Sequence, residues 1–229
     1  MKISSEDVRN FKHRYSDENQ LVVDIIQHQL YDKFAEVILD VGAGTGDITS
    51  RSLSAKRVIQ LDVLNYPDDV STHLHSRVVT DFFAYRCPPG QTIGTLFFSH
   101  VLQFLDDDPV RLNAKIQCLQ PQRVITVTNL NDGFMGELLG WLDHNFLNAN
   151  PEVYLEDFPR GYELEEKVTF TGQVVCPDFE ILAEQVSYLV DSNPSRTELT
   201  ALVNFLQGHI SGPSFPINQT ITVYKNHDR

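Results

Sequence analysis

The chain is poor in cysteine and contains no long apolar run. Its three cysteines, Cys87, Cys118 and Cys176, are widely spaced, so the sequence predicts neither a disulfide framework nor a cysteine metal site. No apolar stretch approaches the ~20 residues that a membrane span requires. The first residues, MKISSEDVRN, also lack the apolar core of a signal peptide. We therefore predict a protein of the reducing cytoplasm with no membrane partner.

Basic residues are also scarce, because 18 lysines and arginines stand against 31 aspartates and glutamates, a formal net charge of −13. Attraction to phosphate supplies most of the affinity of nucleic-acid-binding proteins. The charge therefore predicts that no nucleic acid is a partner, and it either favours a cationic ligand or serves only solubility. His73 and His75 are close in sequence but have no cysteine or helix-spaced third ligand, so no metal site is predicted.

The most informative segment reads VILDVGAGTGDIT, over residues 37–49. A short apolar run ends at Asp40, and Asp47 stands where it can cap a helix. Three glycines lie between these acids at alternate positions: Gly42, Gly44 and Gly46. A strand, a glycine-rich turn and a helix in this order form a nucleotide-binding corner, because glycine lets the backbone approach a ligand closely.

The acids of this corner indicate the kind of nucleotide. A dinucleotide places its pyrophosphate at the helix N-terminus, where carboxylates from Asp40 and Asp47 would repel it. The spacing of the dinucleotide motif G-x-G-x-x-G is also absent. The ammonium and sulfonium of S-adenosylmethionine suit the corner better, so we predict that cofactor. Its predicted contacts here are Asp40, Gly42, Ala43, Gly44, Thr45 and Gly46.

Two further acids end predicted strands. Asp62 ends the second strand, near the ~20-residue interval from the glycines at which an acid binds ribose hydroxyls, and Val63 adjoins it. Asp81 and Phe82 end the third strand, where a carboxylate can bind the adenine amino group and an aromatic ring can cover the base. A loop acid and a core phenylalanine are the alternative interpretation of that pair.

The segment SHVLQF, residues 99–104, lies at the carboxyl end of the fourth predicted strand. Open α/β sheets bind their ligands at this end, so Ser99 and His100 are predicted to face the methionine part of the cofactor and the acceptor. His100 is either a general base or a packed histidine, and packing is favoured. Gln103 is polar among apolar neighbours, which a ligand contact explains better than a solvated surface does.

Short β-branched runs alternate with segments of helical spacing along the chain. The alternation predicts an α/β fold, a doubly wound, seven-stranded, mostly parallel sheet. The predicted strands are 37–39, 57–63, 77–81, 95–99, 123–128, 185–190 and 220–224, and the predicted helices are 19–34, 109–119, 134–146 and 195–206. A single domain over 1–229 is expected, with a helical cover (1–34), a cofactor-binding core (35–147), an insertion or lid (148–180) and C-terminal strands with a helix (181–229).

Four segments, VILDVGAGTGDIT, VIQLDV, VVTDF and FFSHVLQFL, together resemble the class I S-adenosylmethionine-dependent methyltransferases over about residues 35–130. The resemblance implies a Rossmann-like fold and methyl transfer. A weaker resemblance, in FKHRYSDENQ, residues 99–105 and INQTITVYKN, is to histamine N-methyltransferase and its relatives. In that family a glutamate, a glutamine and an asparagine contact the amine substrate. This implies acceptor contacts for Glu18, Gln103 and Gln219, with Gln219 in the place of the asparagine.

These observations predict an enzyme that methylates a small molecule, on a nitrogen of an amine or imidazole-like acceptor rather than on oxygen. One alternative is an O-methyltransferase for a carboxylate or hydroxyl, with Arg160 and Lys167 as candidate cationic contacts. Another is a subunit that binds the cofactor without catalysis. Phe134, Trp141 and Tyr154 are candidate aromatic contacts of the acceptor, and a monomer or homodimer is expected.

Overall fold

The computed structural model of the chain describes residues 15–65, 73–102, 105, 109–146, 159–187 and 195–227. The strands within these residues are β1 (Val37–Val41), β2 (Arg57–Asp62), β3 (His75–Val79), β4 (Thr95–Ser99), β5 (Arg123–Asn129), β6 (Tyr162–Val175) and β7 (Ser214–Asn226). The α-helices are α1 (Glu18–Ile25), α2 (Asp47–Ser52), α3 (Pro109–Leu119), α4 (Gly133–Phe146), α5 (Phe179–Val186) and α6 (Arg196–His209). Helix α1 continues as a π-helical turn (Ile26–Leu30) and a 3₁₀ turn (Tyr31–Lys33).

The strands form one seven-stranded sheet in the order β3-β2-β1-β4-β5-β7-β6. Strand β1 is parallel to β2 and to β4, β2 is parallel to β3, and β4 is parallel to β5. The order reverses between β1 and β4, which makes this pair the switch point of a doubly wound sheet, and such sheets bind ligands at the carboxyl ends of the strands beside the switch point. The predicted fold class is confirmed, and it directs attention to the residues that follow β1, β2 and β4.

By internal packing the chain divides into two compact units. The first takes the described residues within 1–19, 129–152 and 170–219, and the second takes those within 20–128, 153–169 and 220–229. Within the described residues the boundaries fall inside α1, β5, β6 and β7, so each of these elements belongs to both units. The predicted single domain over 1–229 stays a prediction.

Each unit has a buried apolar core, as expected for α/β structure. In the second unit, aliphatic and aromatic side chains of β1, β2 and β4 pack with α3, and their centre is fully buried: Leu39, Leu61, Leu96, Phe98 and Leu112. In the first unit, α4, α5 and α6 pack with parts of β6 and β7: Leu138, Leu142, Val174, Leu182 and Leu206. None of the described helices has the length and apolar character needed to cross a bilayer.

The predicted strand over 185–190 is wrong where the structure describes it, because α5 runs through Val186. Its buried residues Leu182, Ala183 and Val186 follow helical spacing, and the Asp178 side chain caps the helix by accepting from the Ile181 N–H at 2.7 Å. Local β propensity was therefore overridden by amphipathic packing and a helix cap.

The sixth strand is instead β6, which lies inside the segment predicted to be an insertion or lid, 148–180. That segment is rich in charge and holds an edge strand of the sheet, where exposed polar residues are tolerated. Residues 162–175 are therefore a strand of the sheet, and the assignment of the segment to an insertion or lid stays a prediction. Residues 148–158 of the predicted lid lie outside the described residues.

Candidate functional site

The glycine corner follows β1 in the second unit. Gly42, Gly44 and Gly46 have φ angles of 66°, 56° and 74°, in the left-handed region that favours glycine. A Cβ atom on Gly42 would lie 2.2 Å from the Val101 side chain, and one on Gly46 would lie 2.1 Å from Gln60 Nε2. A Cβ on Gly44 would meet no atom within 4 Å. Gly42 and Gly46 are therefore required for packing, whereas Gly44 turns its Cα toward open space that a ligand can enter.

The end of β2 is fastened to this corner. The Gly44 N–H donates to Asp62 Oδ2 at 2.8 Å, the Leu64 N–H donates to Asp62 Oδ1 at 2.9 Å, and the Ala43 N–H donates to the Leu61 carbonyl at 3.0 Å. Val63 and Leu64 follow with 63% and 49% of their surface exposed. An acid next to exposed apolar side chains suits a ligand that carries both hydroxyls and a planar apolar ring.

Asp40 lies beneath the corner rather than at its surface. Its carboxylate is 4% exposed and accepts the Thr49 hydroxyl at 2.7 Å. Burial and the nearby Asp62 charge raise the pKa of Asp40 to about 7, against lowering by the Thr49 hydrogen bond and the Arg77 charge. Asp47 does not cap α2, because Gly46 is the N-cap residue; it pairs with Arg51 at 3.1 Å instead.

Ala43 and Thr45 are half-buried between the glycines. Further along the chain, Asp81 is exposed and its Oδ1 accepts from the Phe83 N–H at 2.8 Å, which stabilises the turn after β3. Phe82 is 3% exposed and its ring packs edge-on against Phe98 with centroids 5.6 Å apart. The alternative interpretation of this pair, a loop acid and a core phenylalanine, accounts for these contacts. Adenine contacts of Asp81 and Phe82 stay a prediction.

The carboxyl end of β4 lies next to the glycine corner, since β4 pairs with β1 up to Val41 and Phe98. Ser99 Oγ is buried and has no hydrogen-bond partner among the described residues. His100 has a φ angle of 51°, unusual for a residue with a side chain, and its N–H donates to the Val127 carbonyl at 3.0 Å. Strained backbone of this kind is concentrated at functional sites. Gln103 lies outside the described residues.

A second polar cluster, in the first unit, consists of Glu18, Asn129 and Gln219. Glu18 is 3% exposed and Gln219 is fully buried. The Gln219 amide donates one hydrogen bond to Glu18 Oε1 and another, at 2.8 Å, to Asn129 Oδ1. The remaining Gln219 atom, Oε1, is buried with no partner among the described residues. One buried acceptor of the cluster, Gln219 Oε1, therefore lacks a donor among the described residues, which suits a ligand with N–H groups.

The structure brings together two of the residues implied by the resemblance, Glu18 and Gln219, although 201 positions separate them. Asn218, the asparagine of the same segment, makes other hydrogen bonds. Its Nδ2 donates to Asp132 Oδ1 at 3.0 Å, and its Oδ1 accepts from the Thr171 hydroxyl at 2.8 Å. Sequence reasoning missed Asn129. It ends β5, so the rule that selected polar residues after the fourth strand could have found it.

The other candidate acceptor contacts are dispersed. Trp141 and Phe134 belong to a half-buried aromatic group in the first unit, where Trp141 stacks on Phe205 with centroids 4.9 Å apart. Tyr154 lies outside the described residues. Arg160 and Lys167 are exposed. Among the described residues, no three His, Cys, Asp or Glu side chains are grouped so as to hold a metal ion.

Neither a protein-family model nor a curated protein matches the sequence. Similar solved structures include the 1,6-didemethyltoxoflavin-N1-methyltransferase of Burkholderia thailandensis, solved with 1,6-didemethyltoxoflavin and S-adenosylhomocysteine. It is 12% identical, with 97% of this chain and 84% of that chain covered and a TM-score of 0.54.

Another similar structure is the N-methyltransferase NodS of Bradyrhizobium japonicum WM9 in complex with S-adenosylhomocysteine. It is 13% identical, with 92% of this chain and 87% of that chain covered and a TM-score of 0.50. A third is the [4+2]-cyclase SpnF, which is 12% identical, with 91% of this chain and 80% of that chain covered and a TM-score of 0.54. At such identities the likeness is one of fold. The chain therefore has the Rossmann-like fold of the class I methyltransferases, as its sequence predicted.

Proposed function

We propose that the protein is an enzyme that binds S-adenosylmethionine and transfers its methyl group to a small molecule. The observation that carries the proposal is the glycine corner, where Gly44 faces open space at φ 56° while its N–H is held by Asp62. A corner of this shape at the switch point of a doubly wound sheet is where nucleoside ligands bind. The fold shared with two methyltransferases solved with S-adenosylhomocysteine supports the same assignment.

The predicted cofactor contacts fit such a ligand. Asp62 and Val63 stand at the end of β2, where a carboxylate can accept from ribose hydroxyls and exposed apolar surface can pack on adenine. Asp40, Asp62 and the net charge of −13 favour a cation over a phosphate ester. When bound, the cofactor supplies an electrophilic methyl group on a sulfonium. The contacts of Ala43, Thr45, Asp81, Phe82, Ser99 and His100 belong to the same proposal.

For the acceptor we propose a nitrogen that carries at least one N–H, held by Glu18 and Gln219, with Gln103 in the role that the histamine methyltransferase resemblance implies. The support is chemical: the buried Glu18 carboxylate and the unpartnered Gln219 Oε1 accept hydrogen bonds, and Asn129 orients the Gln219 amide. Methyl transfer requires the acceptor lone pair about 3 Å from the methyl carbon, and orientation provides much of the rate enhancement. Glu18 can also accept the proton that a methylated amine releases.

Calorimetric titration with S-adenosylmethionine and S-adenosylhomocysteine tests the cofactor assignment. We expect saturable binding of both at one site per chain. The absence of binding of either ligand to folded protein would contradict the proposal.

Turnover on a panel of small acceptors, followed by mass spectrometry of the products, then distinguishes the remaining functions. Methylation of primary or secondary amines supports the nitrogen assignment. Methylation of carboxylates or hydroxyls alone would favour the O-methyltransferase, and binding without turnover would favour a non-catalytic subunit or another reaction. The [4+2]-cyclase SpnF has a similar fold, which makes the turnover assay necessary. The exclusion of nucleic acid, the cytoplasmic location and the monomeric or homodimeric state stay predictions.

A further inference from the structure

Three polar residues form a row across the buried face of the parallel strands. Asp40 of β1 pairs in register with Gln60 of β2, and Gln60 pairs in register with Arg77 of β3. Asp40 and Gln60 are each 4% exposed. Parallel strands covered on both faces normally carry apolar residues, so a polar row at this position requires a reason. The row contacts the loop after β1 and the helix α2 that follows it.

Gln60 connects the row to the start of α2. Its Nε2 donates to Ser50 Oγ at 3.1 Å and to the Gly46 carbonyl at 3.4 Å. Its Oε1 accepts from Arg77 Nη2 at 3.3 Å. Both ends of the Gln60 amide are therefore engaged, and the amide holds the Arg77 guanidinium in one orientation.

Arg77 in turn holds the glycine that faces open space. Its Nη1 donates to the Gly44 carbonyl at 2.7 Å, while the Gly44 N–H donates to Asp62 Oδ2 at 2.8 Å. Both backbone polar groups of Gly44 are thus engaged by side chains of opposite charge. The residue is held at φ 56° with its Cα directed to the space where a ligand enters.

The same arginine balances charge. The Asp62 charge disfavours ionisation of Asp40, and the Arg77 charge opposes this effect. The groups that face Asp40 are Gln60 and Asp62 on β2, Arg77 on β3, and Thr49 on α2, where the Asp47–Arg51 ion pair also lies. Arg77 is the basic side chain of this set that acts on Asp40.

We infer that Arg77 is a positioning residue for cofactor binding, acting through Gly44 and oriented by Gln60. The inference rests on the proposed function, because it assigns a role in holding the cofactor corner. Arg77 does not need to touch the cofactor. It holds the Gly44 peptide in the conformation that leaves space for the ligand, and its charge favours the ionised form of the buried Asp40.

The Arg77→Met variant removes the guanidinium but keeps a long apolar stem. We expect S-adenosylmethionine to bind about tenfold more weakly by calorimetry, because a charge-assisted hydrogen bond to a backbone carbonyl is lost. The matched control is Arg57→Met, which loses the same charge from an exposed position at the start of β2. It should bind the cofactor as the wild type does.

The pH dependence of cofactor affinity distinguishes a positioning role of Arg77 from a role in stability alone. Without Arg77 the pKa of Asp40 should rise above its value of about 7, because the Arg77 charge no longer lowers it. The pH at which cofactor affinity reaches half its maximum should therefore move upward in Arg77→Met and not in Arg57→Met. A purely structural role would lower the unfolding midpoint and leave this profile unchanged.

The outcomes are distinguishable from failure of the proposed function. If the wild type binds no cofactor, the function itself is wrong. If the wild type binds and folded Arg77→Met binds equally well with the same pH profile, the function stands and the inference about Arg77 is wrong. Should Arg77→Met not fold, Gln60→Met replaces it, since it removes the orienting amide: wild-type affinity in that variant overturns the inference, and weakened binding supports it.

Discussion

The glycine corner and the Glu18–Asn129–Gln219 cluster are built in opposite ways. The corner is assembled from residues between Asp40 and Arg77, on three consecutive strands and the turn between two of them. The cluster joins residues from the beginning, the middle and the end of the chain, and one of its hydrogen bonds spans 201 positions. A site of the first kind can be recognised in a single segment. A site of the second kind depends on chain topology, and its members have no common motif.

The two regions also differ in how their polar groups are satisfied. In the corner, every polar side chain discussed has a partner: Asp40 accepts from Thr49, Asp62 from two backbone N–H groups, and Gln60 is engaged at both ends. In the cluster, Gln219 Oε1 is buried without a partner among the described residues. Leaving a buried acceptor unpaired costs about 1–3 kcal/mol. The polar side chains of the corner therefore have their hydrogen-bond partners within the protein, whereas the cluster lacks one donor, which a ligand can provide.

The largest expected effect is that of Gly44→Ala. The added methyl enters the open space at this position, so we expect cofactor affinity to fall about a hundredfold, in the range of overpacking costs. Titration calorimetry measures the loss. Gly90→Ala carries a comparable backbone cost at φ 78° and also meets open space, but should bind normally. Equal affinities of the two variants would show that the space beside Gly44 is not where the cofactor lies.

A smaller effect is expected from Glu18→Gln. The amide keeps the shape of the side chain and an oxygen that can accept from Gln219, but it removes the charge. We expect kcat/KM for the amine acceptor to fall about thirtyfold, as for loss of a hydrogen bond to a charged group, with cofactor affinity unchanged. The control is Asp17→Asn, an exposed neighbour whose oxygen can still accept from the Gln173 N–H. If cofactor binding fell as much as turnover, the separation of the two regions into cofactor and acceptor roles would be wrong.

The smallest effect concerns stability and its dependence on pH. The folded pKa of Asp40, about 7, lies above the model-compound value of 3.8, so the stability linked to this group is fully present below pH 3.8 and is lost as pH rises through 7. Asp40→Asn removes this loss while retaining an acceptor for Thr49. We expect the variant to be more stable than the wild type at pH 8, with the difference disappearing toward pH 4.

Urea denaturation at both pH values, without cofactor, measures this change. Asp47→Asn serves as the control, because Asp47 is a half-exposed acid in an ion pair with Arg51 and should not gain stability at pH 8. The same Asp40→Asn protein should bind S-adenosylmethionine more weakly, which is the common exchange of stability for function at binding sites. A variant less stable than the wild type at pH 8 would mean that the buried carboxylate is compensated in the native state.

Much of the second unit could be predicted from sequence. The strand predicted over 95–99 coincides with β4, and the helix predicted over 109–119 coincides with α3. These elements carry strong periodicity and are bounded by turn residues. The error at 185–190 arose because a short run of β-formers was weighed without the helical spacing of Leu182, Ala183 and Val186 just before it.

The candidate site was predicted less evenly. The glycines and Asp62 follow from spacing alone, and Asn129 directly follows the strand predicted over 123–128. Gln60 and Arg77 lie within predicted strands and carry no local signal. Their importance depends on register: Gln60 supports the corner because it lies opposite Asp40 on one side and Arg77 on the other. Register between parallel strands is set by long crossover connections and packing, which a single sequence does not display.

By itself the sequence determined the strand–glycine–helix corner, the acids that surround it, and the alternation of elements that leads to a doubly wound sheet, because these depend on interactions between residues close along the chain. Only the tertiary structure decided that Gly44 is held between Asp62 and Arg77, and that Glu18 and Gln219 share a buried hydrogen bond. Such contacts form when distant segments pack together, and burial then makes each charge and each unpaired oxygen energetically significant.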